Sequence, residues 1–174
     1  MSADTADADE RTLLESRLDQ QRSEIAAILE RLDETQARAR LVPSLTTPLG
    51  LVKHATFVER VWLHSRVAGV PRDELAIPDT VEESFVLDEQ DTVASVLTSY
   101  AAVCDRSRTI AAEHDLDEEF AWHGRSVSLR FVYGHLIAEL ARHAGHGDIL
   151  VELLLAESSS SLQGGAAGPA LPRQ

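Results

Sequence analysis

The chain has 174 residues, a length that suits one domain of ordinary size. Hydrophobic residues at 44% and charged residues at 26% give a globular composition, and a net charge of −13 repels phosphate backbones and anionic headgroups, which excludes nucleic acid and membrane surfaces as expected partners. Cys104 is alone, so no intrachain disulfide and no cysteine-based zinc cluster can form, and no apolar run approaches the ~20 residues of a membrane span.

The first ten residues, MSADTADADE, carry four acids and no base, the opposite of the charged end of a secretory signal. Residues 1–8 are therefore expected to be a disordered acidic N-terminus of a cytoplasmic protein. Leu14, Leu18, Ile25, Ile28, Leu29 and Leu32 then recur at three- and four-residue steps, predicting a helix over 9–40. Thr47-Pro48 reads as a cap followed by proline in the first helical position, predicting a second helix over 48–68 that stops at Gly69. After some eighteen residues of connection, in which Ser84–Leu87 has the composition of an extended segment, acidic Asp88-Glu89 suits a helix start. Val93, Val96, Leu97, Tyr100, Val103 and Ile110 mark the inward face of that third helix, predicted over 88–114. A dozen connecting residues lead to Ser128, the cap of a fourth helix over 128–157.

Nothing reads as a sheet. The expected fold is all-α, a single four-helix bundle over 9–157 with long connections between helices 2 and 3 and between helices 3 and 4. Residues 158–174, rich in Ser, Gly and Pro, are expected to be a disordered tail. Long helices often leave an apolar side uncovered, so a homodimer is compatible with this pattern, although no residue specifies it.

The inward face of the fourth helix is where the pattern departs from a plain bundle. Val132, Leu136 and Leu150 belong to it by spacing, and so do His135, Glu139, His143 and His146. Those steps bring side chains to one side, successive ones roughly 5–6 Å apart. On the second helix His54 lies beside Leu51 and Val58, again on the inward side. Burying a carboxylate and several imidazoles without partners is costly. A divalent metal satisfies both at once, taking imidazole nitrogen and carboxylate oxygen together. The ordinary reading of Glu-x-x-x-His is a polar pair on a solvated helix face, and His135 has an ordinary reading as a satisfied core histidine. Against both stands the length of the line and its place on the core side. Spacing selects His54, Glu139 and His143 as metal ligands, leaving a coordination position for water or substrate. His64 falls on another side of its helix and is expected at the surface. His114 and His123 lie at or in the third connection, and Cys104 reads as a small core residue. Gly145 and Gly147 read as close-packing positions, not as a phosphate loop.

The segment Ser128–Asp148, SLRFVYGHLIAELARHAGHGD, resembles the last-helix signature of the DinB-like superfamily, nearest its uncharacterised branch. Pro48-Leu49-Gly50-Leu51-Val52-Lys53-His54, followed by Glu59-Arg60 and Trp62, is similar to the second-helix motif of the same group. The resemblance covers about 10–157. It implies a four-helix bundle with one divalent metal, held by a histidine of the second helix and two ligands four apart on the fourth. In the branch containing mycothiol-dependent maleylpyruvate isomerase the first of that pair is glutamate. The carry-over falls on His54, Glu139 and His143, with His135 and His146 as weaker candidates for proton transfer or for supporting the ligands.

The resemblance implies an enzyme that uses mycothiol or a similar small thiol, as an S-transferase or isomerase acting on a small-molecule substrate. Zinc or nickel is the expected ion, since imidazole suits both. The isomerase carries a further C-terminal domain with no counterpart in this sequence, so its substrate is not carried over. Two alternatives use the same residues: a hydrolase whose metal activates water, and a non-catalytic stress-response bundle whose metal is structural.

Overall fold

A computed structural model describes residues 8–164, with side chains described as far as residue 158. It is mostly helical. Helix α1 spans Glu10–Ala27 and starts where Asp9 accepts a hydrogen bond from the Thr12 backbone N–H at 3.1 Å. It does not run on to residue 40 as the apolar spacing predicts. Asp33 and Gln36 form a reciprocal capping box, each side chain bonded to the other's backbone N–H, and this starts a separate short helix α2, Glu34–Ala37. Ile28, Leu29 and Leu32 are nevertheless buried, because the intervening turn folds them back onto the core.

Helix α3 spans Pro48–Glu59, with Thr47 capping the Gly50 N–H at 3.0 Å and Pro48 in its first turn. It continues as a π-helical stretch, Arg60–Val67, in which the wider turn advances each side chain by a smaller angle. That change of phase carries His64 inward. Its side chain is buried, with Nε2 3.2 Å from the Val103 carbonyl and 3.1 Å from Ser107 Oγ, contrary to the surface position expected for it.

The following connection holds a 3-10 turn, Glu82–Phe85, in place of the extended segment. Helix α4 spans Val93–Ala112 and begins later than Asp88 because Thr92 and Ser95 form its capping box. Asp88 instead closes the preceding turn, accepting from the Gln90 and Asp91 N–H groups.

The third connection contains a hairpin. Strands β1, Glu119–Trp122, and β2, Arg125–Ser128, pair antiparallel with Phe120 opposite Val127 and Trp122 opposite Arg125. His123 (φ 46°) and Gly124 (φ 78°) make the two-residue turn, whose two positive φ values match the twist of the strands. Helix α5 spans Leu129–Gly164, capped by Ser128, and passes the predicted stop at Glu157. The rest of the expected tail, residues 165–174, and residues 1–7 of the expected acidic N-terminus lie outside the described residues. No helix among the described residues is long and apolar enough to cross a membrane.

Helix α1 packs against α5 and α3, and α3 packs against α4 and α5. Leu18, Ile25, Leu51, Leu63, Ile110, Leu136 and Leu140 are fully buried between them, each contributing about 1.5–3 kcal/mol. Gly147 permits the closest approach. A Cβ there would lie 2.3 Å from Ile28 Cδ1, so the bend after α1 sits directly on α5. Gly145 has open space at its Cβ position and plays no such part.

One charged pair crosses the core. Arg22 of α1 donates from Nε to Glu59 Oε1 at 2.7 Å and from Nη2 to Oε2 at 2.9 Å, with Glu59 wholly buried. Cys104 lies nearby in the core. Burial, with Glu59 adding, pushes its thiol up to about 12, which leaves it unreactive at neutral pH.

Candidate metal centre

Helix α3 supplies His54 and α5 supplies Glu139 and His143, one turn apart. One ligand atom from each lies within 4.8 Å of the others, and this is the one such group among the described residues. His54 Nε2 is 3.6 Å from Glu139 Oε1, and His143 Nε2 is 3.2 Å from the same oxygen. Ligands around a tetrahedral zinc with bonds of 2.0–2.1 Å stand about 3.3 Å apart, so two edges of the triangle already have a metal site's dimensions.

The state of the His54 ring follows from its partners. Its Nδ1 is 2.7 Å from Ser84 Oγ, and the Ser84 hydroxyl donates to the Val81 carbonyl. The hydroxyl proton is thereby committed, so Nδ1 carries the hydrogen and donates it to Ser84. Nε2 is left with its lone pair, buried and without a hydrogen-bond partner. Burial also pulls the His54 pKa down, which keeps the ring neutral at pH 7. Phe85 stacks on the ring at 4.1 Å and Phe57 lies at 5.8 Å, fixing its plane. A buried imidazole lone pair aimed at a carboxylate is unstable chemistry unless a cation lies between them. The donor set of two imidazoles and one carboxylate suits such a cation.

Glu139 is mostly buried and held well below the usual carboxylate range, first by His143 and then by His54. It is ionised at any physiological pH. Arg142, at 3.3 Å from its other oxygen, orients it from the surface side. His143 turns Nε2 toward Glu139 and keeps Nδ1 buried and without a partner.

The connection before α4 supplies what sequence reasoning missed. Ser84 is almost fully buried and its neighbour Phe85 clamps the ring it orients. Gly50, one turn before His54, makes this contact possible: a Cβ there would lie 3.1 Å from the Phe85 carbonyl oxygen and 2.9 Å from the capping Thr47 hydroxyl. A buried histidine needs a partner for each nitrogen, and a serine within the apolar run Ser84–Leu87 was the available signal. Ser84 also lines a cavity of about 480 Å³, together with Lys53, Thr56, Arg60, Ser95 and Ser99.

His135 and His146 do not join the cluster. His135 lies one turn before Glu139, half-buried, its ring 4.3 Å from Trp62. His146 is exposed, its ring 5.6 Å from that of His143. His114 pairs with Glu118 and His123 turns the hairpin, both away from the site.

A family model described as mycothiol-S-transferase matches residues 13–155. The chain belongs to this DinB-like family. The match covers α1 through most of α5 and so contains every residue of the cluster. No curated protein matches the chain.

Proposed function

We propose that the protein is a divalent-metal-dependent S-transferase that joins mycothiol, or a similar low-molecular-weight thiol, to a small electrophile. His54, Glu139 and His143 hold the ion, zinc or nickel. The observation that carries this reading is the His54 ring: one nitrogen locked by Ser84, the other buried, unpartnered and facing an ionised carboxylate. Membership of the mycothiol-S-transferase family supports the choice of thiol.

Held by these three residues, a divalent metal would lower the pKa of a bound thiol and so would supply a thiolate at neutral pH. His54 and His143 contribute neutral donors, and Glu139 offsets part of the ion's charge. Ser84 and Phe85 hold His54 in its ligating orientation. His135, one turn before Glu139 and with its pKa lowered by burial, would accept the thiol proton in this reading; exposed His146 is the weaker choice. The thiolate sulfur then forms a bond to the electrophilic carbon with its own lone pair, and the bond from that carbon to the leaving group breaks, its electron pair going to the leaving group. A closed structural site would need a fourth protein ligand, and neither His135 nor His146 lies in the cluster.

The test uses protein purified without an affinity tag, mycothiol and 1-chloro-2,4-dinitrobenzene, following the thioether product. Conjugation above the uncatalysed rate should vanish after chelation and return with zinc or nickel. An unchanged rate in the stripped protein contradicts the reading, and metal-dependent ester hydrolysis without thiol favours a hydrolase.

Ser84→Ala tests the orientation of His54 separately. It leaves Nδ1–H without its acceptor and frees the tautomer, so metal affinity should fall about 10–100-fold, the usual cost of losing an outer partner of a ligating histidine. Competition against a chromophoric chelator reads this directly. Ser84→Thr, which keeps the hydroxyl, should retain most of the affinity.

A further inference from the structure

Arg66 is the cation that the proposed metal chemistry leaves unused. It sits in the π-helical stretch with its guanidinium 4.3 Å above the Trp62 ring and 5.9 Å from that of Trp122. Its Nε and Nη1 are buried and have no hydrogen-bond partner. Burial works against its charge, and the nearby charge of Arg72 adds to the cost. In this acidic chain other arginines find carboxylates readily, as Arg22 does with Glu59, Arg108 with Asp19 and Arg130 with Glu10. Arg66 keeps buried donors free although the chain has 29 acidic residues to offer.

The surroundings make this a surface for a flat molecule. The Trp62 ring lies 4.3 Å from the Arg66 guanidinium and 4.3 Å from the His135 ring. Trp122, delivered by the hairpin with Arg125 4.1 Å over its ring, and Phe131, 42% exposed, continue the same aromatic cluster. His135 is one helical turn from Glu139.

We propose that Arg66 binds a carboxylate, or an equivalent planar anion, on the electrophilic substrate, while Trp122 and the exposed Phe131 pack against the apolar body that carries it. The guanidinium offers paired donors to such a group, and the tryptophan faces keep that cation in place while it is empty. This deepens the transferase reading by assigning a substrate class to the second reactant. It rests on that reading only for the meaning of the bound molecule, not for the binding itself.

The experiment uses metal-stripped full-length protein and the probe pair benzoate and benzamide, which share a ring and differ in charge. Trp62 and Trp122 are the chain's two tryptophans, so intrinsic fluorescence reports on this cluster alone. Benzoate should change the fluorescence saturably and bind at least ten-fold tighter than benzamide. Arg66→Gln should abolish that preference, and Arg66→Lys should keep part of it. Equal binding of the two probes by the wild-type protein, or a preference that survives in Arg66→Gln, overturns the proposal. Because metal is absent throughout, failure here leaves the metal site standing. Conversely, benzoate binding by a protein that takes up no metal leaves the subsite standing.

Discussion

Glu59→Ala should destabilise the protein by about 3–5 kcal/mol, among the largest effects of any single substitution outside the proposed site. The carboxylate is wholly buried and takes both donors of the Arg22 fork at 2.7 and 2.9 Å. Removing it leaves a guanidinium in the core with only Asp19, at 2.8 Å and on the surface side, to pair with. The attraction of Glu59 is what raises the Arg22 pKa in spite of desolvation, so losing it exposes that desolvation cost in full. Urea unfolding followed by circular dichroism measures the change. For a chain of this size the thermal midpoint should fall by roughly 10 °C or more. The double replacement Arg22→Met/Glu59→Leu should recover most of the loss, because it removes both buried charges and fills their volume. A midpoint unchanged in Glu59→Ala would show that the pair contributes nothing to the packing of α1 on α3.

Caps and long apolar stripes were legible in the sequence because they are local signals. Thr47-Pro48 and Ser128 start their helices as their chemistry requires. The three residues of the cluster were legible for a different reason. Glu139 and His143 are fixed one turn apart by helix geometry, and a histidine facing inward on α3 had to find something polar across the core. What escaped was either local chemistry outweighed by a strong stripe or geometry that no stripe encodes. The Asp33/Gln36 capping box divides a segment whose apolar spacing alone describes one long helix. The hairpin depends on positive φ at His123 and Gly124, and His-Gly is a weaker signal for that turn than Asn-Gly. The π-helical stretch shifts the phase of every later residue in its helix, which is why His64 is buried and why Arg66 lies over Trp62. Ser84 escaped because its role depends on a connection folding back onto α3, a tertiary event permitted by Gly50.

His143→Ala should weaken divalent-metal binding by more than the 10–100-fold expected for losing Ser84, since it removes a donor and not a support. Alanine is a good helix former and the position is partly exposed, so α5 should remain intact. Metal binding should also depend on pH in a defined direction. Only the neutral ring ligates, and burial lowers the His54 pKa from its ordinary value near 6.5. Protons therefore compete for His54 only at lower pH than for an exposed histidine, while Glu139, held low, stays ionised. Binding should be flat from about pH 7 upward and fall below about pH 6. His114→Ala and His123→Ala should bind as the wild type does.

Cobalt(II) titration of the metal-stripped, tag-free protein, followed by addition of mycothiol, tests the central claim most directly, because cobalt absorbs visibly according to its ligands. The wild-type protein should take up one cobalt per chain, and the thiol should then produce a thiolate-to-cobalt charge-transfer band. Both signals should be missing from the His54→Ala/Glu139→Ala/His143→Ala variant. A folded wild-type protein that binds no cobalt, or that binds it and gives no band with thiol, would contradict the account.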